Sequence, residues 1–115
     1  KQPIHGFIHY NTVLMNKVCL TKSHADEIAQ YNVLIHTIGP GRMATERAFA
    51  IDSIKANKLG ISSEEVAAQS KNAIPLARYG TPEEFAKVVT FFVSDACTYM
   101  TGSSVLVDGG MVRAI

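Results

Sequence analysis

The chain has 115 residues, 47% hydrophobic and 18% charged, which is enough apolar surface for one small folded domain and excludes a disordered segment. Eleven Lys and Arg nearly balance ten Asp and Glu, for a net charge of +1, so the basic surplus of a nucleic-acid binder is missing. The longest apolar runs, such as Val33-Leu34-Ile35 and Phe91-Phe92-Val93, fall far short of the ~18 residues a membrane-spanning helix needs.

Residues 1–9 contain Pro3 and Gly6 and read as a loop. From Asn11 to about Gln30 there is no Pro or Gly, and Leu14, Val18, Ala25 and Ile28 recur at helical spacing, with Asn11 or Thr12 as cap. Tyr31-Asn32 makes a turn. Residues 33–38 (VLIHTI) are short and almost wholly apolar, the pattern of a strand covered on both faces, and Gly39-Pro40-Gly41 stops them. Residues 44–58 read as a helix ending at Gly60. Ser62 with Glu65 forms a capping box that opens a further helix, running to about Ala73 and stopped by Pro75. Thr81, Pro82 and Glu84 combine a cap, a first-turn proline and a second capping box. The helix they open places Phe85, Val88, Val89, Phe92 and Val93 on one stripe. Residues 103–107 form a second apolar strand, and Asp108-Gly109-Gly110 shapes its exit.

Two covered strands joined by a long helical crossover predict an α/β fold with a parallel sheet. Two strands are too few to stand alone, so a strand edge must pair with something else. The chain opens on Lys1-Gln2-Pro3, without an initiator Met or a signal peptide, and is expected to be part of a longer protein. Cys19 and Cys97 lack CxxC spacing and are expected to be buried thiols of a cytoplasmic protein, not zinc ligands. His5, His9, His24 and His36 have no metal-ligand spacing, so no metal is expected.

Four segments together resemble the C-terminal half of a short-chain dehydrogenase/reductase of the 3-oxoacyl-acyl-carrier-protein reductase kind. They are Tyr10 with the helix carrying Leu20-Thr21-Lys22-Ser23 and Ala25-Asp26-Glu27; Tyr31-Asn32-Val33 through Pro40-Gly41 to Met43 and Thr45; Ile74-Pro75-Leu76-Ala77-Arg78-Tyr79-Gly80-Thr81-Pro82-Glu83-Glu84; and Tyr99-Met100-Thr101-Gly102 through Val107-Asp108-Gly109-Gly110. They cover essentially the whole chain.

The resemblance implies that residues 1–115 are the C-terminal portion of one Rossmann-type, doubly wound parallel domain, with two strands and about four helices in this stretch. It implies NADP or NAD as cofactor, a small-molecule or acyl-thioester substrate, and a homodimer or homotetramer. The segment of about 44–74 would be a mobile lid over the substrate. Tyr10, 30 residues before Pro40, would be the catalytic general acid, and Gly39, Pro40, Met43 and Thr45 would hold the cofactor.

One position departs from the family pattern. A Lys belongs four residues after the Tyr, where it lowers the phenol pKa and binds the ribose; here that residue is Leu14. Lys17 lies about 10 Å further along a helix than Tyr10. No Gly-rich phosphate loop occurs in these 115 residues, so the stretch alone is expected to be inactive. The alternative is a degenerate, non-catalytic relative that serves as a binding or oligomerisation scaffold. Arg42, in the loop at 39–45, would reach a phosphate or an acidic carrier, or simply be solvated.

The unpaired strand edge and the helix at 12–30 both call for partners, so the chain is expected to self-associate. Sedimentation of a uniform 12.5 kDa monomer would count against this.

Overall fold

A computed structural model describes the backbone of residues 8–113 and the side chains of residues 16–113. The loop expected at 1–9 and the side chains of Tyr10 and Leu14 therefore lie outside the described residues, except that residues 8 and 9 are already helical. The elements are α1 (Ile8–Ile28), a 3-10 turn (Ala29–Tyr31), β1 (His36–Pro40), α2 (Glu46–Leu59), α3 (Ser63–Asn72), α4 (Pro82–Phe92) and β2 (Ser103–Val107). β1 and β2 are parallel neighbours in one sheet, joined by the three-helix crossover. Among the described residues the expected α/β class and the count of two strands and four helices both hold.

The chain packs as two compact units. One is built from the residues up to Gly39 with Val89–Leu106; the other from Pro40–Val88 with Val107–Met111. In the first unit α1 buries Thr21 and Ala25. Thr21 donates its only hydroxyl proton to the Lys17 carbonyl at 2.7 Å, so the 2.6 Å contact between the Thr21 and Thr37 hydroxyls must run from Thr37. That bond ties α1 to β1. Side chains alternate along a strand, so the next residue, His36, points to the other face and meets the Phe92 ring at 4.6 Å. Gly102 takes a left-handed φ of 64°, and a Cβ there would lie 3.0 Å from that of Ala25. Glycine lets the start of β2 pass directly beside α1.

The first strand is displaced from its expected position. Residues 33–35 are apolar, two of them β-branched, yet the ladder starts at His36 and runs on to Pro40. Pairing sets the boundary: Ile35 accepts from Gly102 N–H and donates to the Thr101 hydroxyl, and only from Ser103 onward does β2 lie alongside. The second strand falls where expected.

In the second unit the helix ends follow local chemistry. Thr45 accepts from Ala48 N–H at the start of α2, and Gly60 ends that helix at φ 67°. Ser62 and Glu65 form the reciprocal capping box of α3. Thr81 and Glu84 form another at α4, with Glu84 N–H to Thr81 Oγ1 at 3.2 Å and Thr81 N–H to Glu84 Oε2 at 2.8 Å. Val66, Ala56 and Ile74 make the apolar centre of this unit.

Two expectations need correction. Val93 lies past the end of α4 and is 79% exposed, because the helix stops before the stripe is complete. Cys97 is buried, but Cys19 is exposed: it lies on α1 away from the Thr21–Ala25 face. Among the described residues no three His, Cys, Asp or Glu gather as metal ligands, and no helix is long and apolar enough to cross a membrane.

Thr81→Ala removes an acceptor from the first turn of α4 while the Thr81 backbone N–H keeps its bond to Glu84. The expected loss is about 1 kcal/mol, read as a lowered urea midpoint with an unchanged slope.

Candidate functional site

The loop leaving the carboxyl end of β1 lies where open α/β sheets bind ligands. Its path is fixed by backbone contacts. Gly41 N–H donates to the Val107 carbonyl at 2.9 Å, and a Cβ at Gly41 would fall 2.5 Å from Asp108 Cα, a space that only glycine leaves open. Met43 and Gly80 form a parallel bridge, with Ala44 N–H to the Gly80 carbonyl at 2.8 Å and Gly80 N–H to the Arg42 carbonyl at 3.0 Å. Thr45 then caps α2. Met43 and Thr45, expected from the sequence to act together with Pro40, thus sit on one short, doubly anchored loop that leaves β1 at Pro40. Gly39 is the fourth residue of β1, packed so that a Cβ would meet Leu106 Cδ2 at 2.9 Å.

Arg42 is not simply solvated, as one of its expected roles had it, but half-buried and bonded. Its Nη1 donates to Asp52 Oδ1 at 2.6 Å and to the Tyr79 hydroxyl at 3.3 Å. Tyr79 in turn donates to Asp52 Oδ2 at 2.6 Å, and Lys71 Nζ stands 5.7 Å from the centre of the Tyr79 ring. Burial by itself would raise the Asp52 carboxyl, but the hydrogen bonds from Tyr79 and Arg42 outweigh it and hold the group below the usual carboxylate range. Burial opposes the Arg42 charge as well, and the bonds to Asp52 and Tyr79 still leave its pKa raised. Asp52 and Tyr79 were missed by the sequence reading. The available signal was an acid one turn before Ala56 on the inward face of α2.

Beside the loop is a hollow of about 200 Å³ with apolar walls from Met43, Leu76, Val88 and Val107. Arg78 and Glu84 stand at its edge, joined by two bonds of 2.8 and 2.7 Å. The Arg78 guanidinium and the Thr81 N–H pull the Glu84 carboxyl down to about 2. Tyr10 and Leu14 are positions one turn apart on the α1 backbone, with side chains outside the described residues.

A family model described as enoyl-(acyl carrier protein) reductase matches residues 4–112. The chain is 37% identical over 106 residues to 3-oxoacyl-acyl-carrier-protein reductase of Aquifex aeolicus, covering 92% of this chain and 38% of that protein. It is 30% identical over 105 residues to the NADPH-dependent reductase BacG of Bacillus subtilis, covering 91% and 39%. A crystal structure of a short chain dehydrogenase family protein from Francisella tularensis superposes with a TM-score of 0.90 at 30% identity, over 97% of this chain and 46% of that one. The chain thus spans about two fifths of the length of these curated relatives.

The Glu84 carboxyl titrates lower in the folded chain than its ordinary 4.5, so the unfolded chain takes up its proton first as pH falls. The stabilisation is complete above about pH 4.5 and is lost progressively toward about pH 2. Both side chains are near half exposed, at 51% and 42%, so salt weakens the pair. Urea midpoints across this range are expected to fall less steeply with acid in Glu84→Gln than in the wild type.

Proposed function

The chain belongs to the short-chain dehydrogenase/reductase family, in the group described as enoyl-(acyl carrier protein) reductase, and on that premise we propose that it supplies the nicotinamide-end loop and the substrate cover of an NAD(P)-dependent oxidoreductase. The activity is hydride transfer between the nicotinamide and a carbonyl or alcohol, with a 3-oxoacyl thioester as the substrate. The nicotinamide supplies the hydride chemistry when bound.

The observation that carries this reading is the donor set of the loop. Thr45 Oγ1 accepts from Ala48 N–H, which leaves its own proton to give. Met43 N–H meets no acceptor among the described residues. A hydroxyl proton left to give and an N–H two residues apart, at the start of a 14-residue helix, suit a carboxamide oxygen or a phosphate. The residues present fit the nicotinamide end of the cofactor. Pro40 and Gly39 shape the strand exit that leads into this loop. α2 and α3, hinged at Gly60, form the cover over the substrate. Tyr10 is the proton donor to the carbonyl oxygen. The reading places the protein in the cytoplasm, as a homodimer or homotetramer.

Leu14 is the observation that favours a second reading. Without a cation one turn on, a phenol stays near its ordinary pKa of about 10 and is a poor acid near neutrality. On that reading the protein is a non-catalytic scaffold for binding or assembly.

The full-length gene product, mixed with NADPH and a 3-oxoacyl thioester, is expected to oxidise NADPH, and Leu14→Lys to raise the rate by about tenfold or more. Residues 1–115 alone are expected to show no saturable NADPH oxidation. If neither full-length protein oxidises or binds NADPH, the enzyme reading fails and the scaffold stands.

A further inference from the structure

Asp52 is the only charged side chain buried among the described residues, at 2% exposure. Taking a carboxylate out of water is costly unless each oxygen finds a donor. Asp52 finds one for each: Arg42 on Oδ1 and Tyr79 on Oδ2, both at 2.6 Å. The two donors belong to the two segments that form the walls of the loop. Arg42 lies within it. Tyr79 precedes Gly80, whose carbonyl holds Ala44 N–H and whose N–H is held by the Arg42 carbonyl. Side chains and backbone therefore clamp the same place. The helix that carries the acid begins at Thr45, so α2 both presents the loop's hydroxyl and grips the loop about two turns further on.

Packing alone gives no reason for an acid here, because an apolar residue of similar volume fills a helix-facing site as well. A carboxylate adds direction: it fixes where the Arg42 fork and the Tyr79 hydroxyl lie.

We propose that Asp52 is a positioning residue for the dinucleotide loop, setting the backbone of residues 42–45 through Arg42 and Tyr79 without touching the ligand. The inference rests on the reading of the loop given under the proposed function.

The test uses the full-length gene product as wild type, Asp52→Asn and Tyr79→Phe, with NADPH as probe. Two quantities are read: the NADPH dissociation constant from its fluorescence titration, and amide hydrogen exchange, which needs no ligand. Asp52→Asn is expected to weaken NADPH binding about tenfold, and Tyr79→Phe, which keeps the ion pair, about threefold. Exchange is expected to quicken at Ala44, Thr45 and Gly80 in both, while α3 keeps its protection. Unchanged affinity overturns the proposal. So does protection lost evenly through α2 and α3, the mark of a merely structural role. If Asp52→Asn does not fold, Tyr79→Phe decides by the same criteria. If the wild type binds no NADPH, the cofactor reading fails on its own. The exchange pattern then judges Asp52: quickening confined to the loop supports its grip, and an unchanged loop overturns it.

Discussion

The second unit is organised around a carboxylate that has left water. Asp52 stays ionised on the inner face of α2 because Arg42 and Tyr79 meet its two oxygens. The cost of burying the charge makes the arrangement specific: neither partner can move away without leaving an unpaired group behind. One carboxylate, through two bonds, thereby ties together three distant stretches of chain, at residues 42, 52 and 79. The parallel bridge between Met43 and Gly80 runs beside it.

The first unit is held by weaker and more numerous contacts. A hydroxyl pair joins α1 to one face of β1, and a ring contact joins Phe92 to the other. Both His36 ring nitrogens and the Ser104 hydroxyl are buried without a partner among the described residues, an uncommon state for groups that ordinarily find one. Large apolar side chains such as Val33 and Tyr99 are exposed, and the sheet has only two strands. Each of these features suits a chain that spans about two fifths of its relatives' length.

Function in this family divides between a cofactor that carries the hydride and a protein that places it. On the reading proposed above, the groups of this chain that do the placing are short-range: one hydroxyl, one backbone N–H, and the glycine that lets their loop pass Asp108.

Local chemistry was legible without coordinates. Both capping boxes and the Gly60 stop depend on neighbours within four residues, so their spacing in sequence is their spacing in space. The parallel α/β class followed from covered strands and a helical crossover in the same way. The start of β1 was not legible, because a ladder begins where its partner begins, and that partner lies 67 positions away, from His36 to Ser103. Nor was the role of Arg42. An arginine in a glycine-rich loop reads as solvated until a buried acid ten residues on and a tyrosine 37 residues on are brought to it. The sequence by itself determined the class of fold, most of the elements and their caps. Only tertiary structure decided which charges left water, because desolvation depends on everything packed around a group and not on its neighbours in the chain.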